Sequence, residues 1–204
     1  MKKIVVASNN EHKISEIKQI LNGLDFEIKS LKEEDIYIEV EEDGKTFEEN
    51  AKKKATEIAD FLNKRGEKNF VVLADDSGLE VEYLNGAPGI YSARYSGEHG
   101  NDEENNKKLL EELREVPKEK RGAKFICAVA LMCSDNIYIY VRGEVEGIIM
   151  EKLSGNEGFG YDPLFFYKPL NKTFSELTAD EKNKISHRGV ALKKLKEELV
   201  RLKG

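Results

Sequence analysis

Residues 3–7, KIVVA, apolar from Ile4 to Ala7, read as a short buried strand. After the polar stretch SNNEHK, Ile14, Ile17 and either Ile20 or Leu21 recur at helical spacing, which predicts a helix over residues 11–22. Residues 25–40 carry two further strand signals, the second in the alternating Tyr37-Ile38-Glu39-Val40. Thr46-Phe47-Glu48-Glu49 is a capping box that opens a helix to about residue 64. On that helix Asn50 and Lys54 share a face, beside a small-residue stripe of Ala51 and Ala55. The run FVVLA at residues 70–74 reads as a strand that ends abruptly in Asp75-Asp76-Ser77-Gly78. Asn85-Gly86-Ala87-Pro88-Gly89 is a turn. Residues 101–113 read as a helix, with Leu109, Leu110 and Leu113 on one face.

The strongest hairpin signal follows. Residues 123–133 and 137–145 flank the turn Ser134-Asp135-Asn136, and the second arm alternates strictly. Residues 147–151 are a candidate extension of that arm. A short strand at residues 164–167, a capping box at Thr178-Ala179-Asp180-Glu181 and a closing helix at residues 190–202 complete the chain. The closing helix places Leu192, Leu195, Leu199 and Leu202 on one face. Helices alternate with strands, and the hairpin makes the sheet mixed rather than wholly parallel. The pattern is that of an α/β protein.

Composition narrows the function. At 204 residues the chain holds one substantial core or two small lobes, with 39% hydrophobic and 35% charged residues. No apolar run approaches the roughly 20 residues of a membrane helix. The basic start Met1-Lys2-Lys3 leads into an apolar run too short for a signal peptide, so the expected address is the cytosol. A net charge of −6 argues against a nucleic-acid binder with a broad phosphate-neutralising face. A small anion needs only a few placed lysines. Cys127 and Cys133, if on one strand, lie about 20 Å apart, beyond the roughly 7 Å limit for a disulfide. They read as small core hydrophobes, and no Cys/His cluster supports zinc.

Four stretches carry candidate chemistry. Acids at the end of a buried strand are how open α/β enzymes build sites. An unpaired carboxylate loses several kcal/mol on leaving water, so Asp75 and Asp76 need a cation or a task. The alternative is a solvated turn. Ser8-Asn9-Asn10-Glu11-His12-Lys13 joins a strand to a helix N-terminus, a junction suited to an anion or simply a capped helix start. The acidic loop Glu41-Glu42-Asp43-Gly44 is either metal-facing or solvated. In Gly155-Asn156-Glu157-Gly158-Phe159-Gly160-Tyr161-Asp162-Pro163, glycines surround an aromatic pair. Phe159 and Tyr161 either stack on a flat ligand or fill the core. His187 and Arg188 stand near a helix N-terminus, where the dipole disfavours cations, so they seek an acceptor.

Together the blocks SNNEHK, TFEENAKKKA, ADDSGLEV, GAPGIYSARYSG, GFGYDP and ELTADEKNKISHRG resemble the inosine/xanthosine triphosphate pyrophosphatases, in that family's order and over nearly the whole chain. Asn9 departs from the glycine common at that place in bacterial members. The resemblance implies a single domain over residues 1–204: an elongated α/β fold whose long mixed sheet is flanked by helices, with two lobes and a cleft between them. It implies a homodimer and magnesium-dependent cleavage of ITP, dITP or XTP to the nucleoside monophosphate and pyrophosphate. A related pyrophosphatase acting on pyrimidine or modified nucleotides is the alternative. By motif, Ser8, Asn10, Lys13 and Lys54 line the phosphate side. Asp76 is metal ligand and general base, with Glu41 as the second metal carboxylate, a place Glu42 or Asp43 also fits. Ser77, Phe159, Gly160, Tyr161, Asp162, Lys182, His187 and Arg188 form the nucleoside side. Strand alternation then sends Asp76 into the cleft and turns Asp75 away toward a backbone or basic partner.

Overall fold

The computed structural model describes residues 2–201. Its strands are β1 (Lys2–Val6), β2 (Phe26–Ser30), β3 (Phe70–Val81), β4 (Gly122–Cys133), β5 (Tyr138–Ile149), β6 (Phe165–Tyr167) and β7 (Lys172–Thr173). Its α-helices are α1 (Glu11–Leu21), α2 (Phe47–Lys64), α3 (Asp102–Glu112), α4 (Ala179–Ile185) and α5 (His187–Arg201). The strands form a seven-stranded sheet in the order β2-β1-β3-β4-β5-β6-β7. β1 pairs in parallel with β2 and with β3, while β6 pairs antiparallel with β5 and β7. The sheet is therefore mixed, and the α/β class expected from the pattern stands.

Contacts divide the chain into two compact units. The first holds residues 1–76, 127–143 and 190–204, and the second residues 77–126 and 144–189. In the first unit Ile4 and Val6 of β1, Ile14, Ile17 and Leu21 of α1, and Leu192, Leu195 and Leu199 of α5 share one core. The helical spacing read from α1 and α5 is the spacing of these buried side chains. Cys127 and Cys133 are not joined in a disulfide and are buried in that core. The second unit has its own core, with Leu79 and Val81 of β3, Leu109 of α3, and Phe125, Phe165 and Phe174 among its members.

Three expectations need correction. Residues 37–40 alternate in burial but form no strand. Alternation reports an extended chain with one side inward, whereas a strand also needs a ladder partner. β3 does not end at Ala74 but runs on through Asp75-Asp76-Ser77-Gly78 to Val81. Those four are turn residues by propensity, and sheet pairing overrides the propensity. β5 reaches Ile149 and so takes in part of the candidate extension at residues 147–151. α5 begins at His187, three residues before the expected start, and Leu202 lies outside the described residues. No helix among the described residues is long and apolar enough to cross a membrane.

One buried cation ties the second unit together at the entry to β4. Arg121 is buried and donates to the backbone carbonyls of Leu113 (2.6 Å), Val116 (2.9 Å) and Met150 (3.3 Å). Leu113 is the C-cap of α3, so the guanidinium satisfies an acceptor that the helix end leaves open. Arg121→Met keeps the stem and orphans all three carbonyls. It is expected to lower unfolding stability by about 2–4 kcal/mol, read as a shift in urea midpoint with unchanged slope.

Candidate active site

In the first unit the site is built around β3. Asp75 and Asp76 are both buried, at 1% and 5% exposure, and successive strand positions point them to opposite faces. α1 serves the first: Lys13 Nζ lies 3.3 Å from Asp75 Oδ2. α2 serves the second: Asn50 Nδ2 donates to Asp76 Oδ2 at 3.0 Å, and Lys54 Nζ lies 3.7 Å from Oδ1. Asn50 and Lys54 sit one turn apart on α2, so a single helix face delivers both. Asp75 thus has the basic partner expected of it, and that partner is a residue expected to bind phosphate.

The acidic loop joins this cluster through two contacts. Lys54 Nζ donates to Glu42 Oε1 at 2.5 Å, and Gly44 N–H donates to Asn50 Oδ1 at 2.8 Å. Asn50 is fully buried and uses both ends of its amide, one on the loop and one on Asp76. Asp43 pairs with Lys53 at 2.7 Å. Glu41 is exposed and makes no ion pair among the described residues.

Burial and neighbouring charges set the acid–base behaviour. Two ammonium groups, Lys13 and Lys54, lie against the carboxylates of Asp75, Asp76 and Glu42. Burial pushes the Asp76 carboxyl above the ordinary aspartate range; Lys54, Lys13 and the Asn50 hydrogen bond only partly offset this, and Glu42 adds to it. Burial works to lower the Lys54 pKa, but Asp76, Glu42 and Asp75 outweigh it and hold the ammonium above its usual value. Among the described residues no group of three or more His, Cys, Asp or Glu side chains is arranged to hold a metal. A hard divalent cation that shares its shell with substrate phosphates needs only one or two carboxylates.

Ser8 and Asn10 stand at the start of α1. Asn10 caps the helix, its Oδ1 accepting from Lys13 N–H at 3.1 Å, while Ser8 Oγ accepts from Asn10 N–H at 3.2 Å. The capped helix start is real. It also places Lys13 and the positive end of the helix dipole at one end, the arrangement that favours an anion.

In the second unit the expected nucleoside residues form a second group. Arg188 is fully buried at the first turn of α5, where its Nη2 donates to Ser77 Oγ at 3.0 Å. Its guanidinium carbon lies 5.9 Å from the Phe159 ring centroid, and Lys182 Nζ lies 4.5 Å from the same centroid. Lys182 also pairs with buried Asp162 at 2.6 Å, and Asp162 Oδ2 accepts from Phe159 N–H at 2.9 Å. Asp162 therefore organises the glycine loop from within. His187 stacks on Phe125, with ring centroids 4.7 Å apart. Of the aromatic pair, Phe159 is half-buried, whereas Tyr161 fills the core and donates its hydroxyl to Ser92 O at 2.8 Å.

A family model described as the Ham1 family matches residues 4–198. The chain belongs to the Ham1 family. A dITP/XTP pyrophosphatase of Clostridium perfringens is 61% identical over 199 residues, covering 98% of each chain. The Ham1 protein of Staphylococcus aureus superimposes with a TM-score of 0.84 at 43% identity, over 97% of this chain and 98% of that one. A HAM1 protein of Coxiella burnetii gives 0.85 at 38% identity, over 98% and 100%.

Two features of this Ham1 chain escape a reading of sequence. Asn50 was visible on the right helix face, but nothing local marks it as the link between Asp76 and the acidic loop. Gly189 looks like a poor helix residue. A Cβ there would lie 2.0 Å from Asn183 O, so glycine lets α5 start directly against α4 and sets where His187 and Arg188 stand. Gly189→Ala must push the helix start away from α4. A loss of about 1–3 kcal/mol with at least tenfold lower turnover of the substrate proposed below is expected from urea unfolding and steady-state kinetics.

Proposed function

We propose that this chain is a nucleoside-triphosphate pyrophosphatase that hydrolyses non-standard purine nucleotides (ITP, dITP and XTP) to the monophosphate and pyrophosphate. The observation that carries the reading is the buried Asp75-Asp76 pair with Lys13, Lys54 and Asn50, a cluster of carboxylates and lysines in a chain whose full-length relative is a dITP/XTP pyrophosphatase.

The chemistry suits these side chains. Cleaving an α–β phosphoanhydride needs an oriented water and neutralised charge rather than a covalent intermediate. Asp76, with a raised pKa, is the base that takes the proton from water as oxygen attacks the α-phosphorus. Lys13, Lys54, Ser8 and Asn10 hold the triphosphate. Pyrophosphate leaves as the bond between the α-phosphorus and the bridging oxygen breaks. A magnesium ion would be held by Asp76 and Glu41, and when bound it supplies charge neutralisation on the phosphates. Glu41 is favoured over Glu42 and Asp43 because each of those already has a lysine partner. Phe159, Gly160 and Tyr161, with Asp162, Lys182, Ser77, His187 and Arg188, form the base side. A 6-carbonyl accepts from Arg188 and His187 where the 6-amino group of adenine would oppose a donor, the kind of mismatch that rejects a substrate by up to about 10⁴–10⁵. The homodimer and cytosolic address implied by the family resemblance belong to the same proposal.

Asp76→Asn is expected to lower ITP turnover by at least 10³-fold, measured as pyrophosphate release with magnesium. Because folding raises this carboxyl's pKa, its favourable contribution to stability exists below the unfolded value and is lost as pH rises through the folded one. At neutral pH the asparagine variant should therefore unfold at no lower urea concentration than the parent. Turnover above a tenth of the parent's would remove Asp76 from the base role.

Arg188→Met retains the buried stem and removes the donors. It is expected to lower kcat/KM for ITP about 10²-fold or more and for ATP far less. An equal fall for both nucleotides would show that Arg188 does not read the base.

A further inference from the structure

The glycine loop that carries Phe159 is gripped from outside by α3. Asp102 is the first residue of that helix, and its Oδ2 accepts from Gly160 N–H at 2.6 Å. One turn later Asn106 Nδ2 donates to Gly160 C=O at 2.8 Å and to Asp102 C=O at 2.9 Å. Both polar backbone groups of one residue are thus tied to one helix face, at positions i and i+4. Gly160 has φ +61, a left-handed conformation that lacks the support of regular structure. Its neighbour Phe159 is held from the other side, since its N–H donates to Asp162 and its ring faces Lys182.

Asn106 is an unexpected residue for this place. It is 5% exposed inside a helix, where asparagine is a poor former, and its Oδ1 is buried with no hydrogen-bond partner among the described residues. A leucine would pack there without an orphaned oxygen. The contacts of Nδ2 to Gly160 and Asp102 are what the asparagine supplies in return.

We propose that Asp102 and Asn106 are positioning residues for base recognition: they fix the Gly160 peptide and through it the plane of the Phe159 ring against which the purine rests. The inference rests on the pyrophosphatase reading above. Neither residue is among those proposed to hold the triphosphate, so their loss should weaken binding of the base and spare binding of phosphate.

The test compares the full-length protein with Asp102→Ala, Asn106→Leu and the conservative Asp102→Asn, whose amide oxygen still accepts from Gly160. Inosine monophosphate and pyrophosphate serve as separate calorimetric probes. Asp102→Ala and Asn106→Leu are expected to weaken inosine monophosphate at least tenfold, leave pyrophosphate within about twofold, and raise KM for ITP with kcat little changed. Amide exchange across residues 158–162 should speed up in both, without nucleotide, while Asp102→Asn stays close to the parent. Parental affinity for inosine monophosphate in both disruptive variants overturns the inference, as does an equal loss of both probes. If the unaltered protein releases no pyrophosphate from ITP, the pyrophosphatase reading itself fails; normal release with unmoved variants sinks only the positioning role.

Discussion

Everything in the first unit's site follows from placing two carboxylates in the interior of a strand. Two adjacent acids in a buried sheet are expensive, and each is balanced by a different helix: Asp75 by Lys13 of α1, Asp76 by Asn50 and Lys54 of α2. Because the side chains of neighbouring strand residues diverge, the strand holds the two helices in register with one another through opposite faces. Burial holds the Asp76 carboxyl above the ordinary aspartate range, an effect that Lys54, Lys13 and Asn50 only partly offset.

Asn50 then couples Asp76 to the acidic loop. Its amide reaches Asp76 with one end and the Gly44 backbone with the other. A residue with two fixed hydrogen bonds cannot rotate freely, so the loop bearing Glu41 and Glu42 and the strand bearing Asp76 keep one relative position. The coupling is made by a neutral side chain.

Much of this was legible in the chain. Helical spacing placed α1 and α5 because their core is built from the same residues that carry the period, and the strict alternation of residues 137–145 announced β5. The motifs pointed to Lys13, Lys54 and Asp76, which the structure gathers into one cluster. Position 37–40 failed because alternation without a partner strand is only an extended segment. Asp75 to Gly78 looked like a turn because local propensity knows nothing of the neighbouring strand β4, β1 having ended opposite Leu73. Asn50, Asp102 and Asn106 were hidden for a common reason. Their importance lies in contacts to residues between 6 and 58 positions away, and a polar residue on a helix looks the same whether it faces water or a peptide group.

Helix α3 is fastened at both ends, by Arg121 on the Leu113 carbonyl and by Asp102 and Asn106 on Gly160. It therefore behaves as a spacer of fixed length. Adding or removing one residue would move one fastening by about 1.5 Å along the axis and turn it by about 100°, so no such change preserves both attachments. Natural variation in this part of the chain should consequently take the form of substitutions on the exposed face, while insertions are confined to the polar loop before Asp102 and the connector after Leu113.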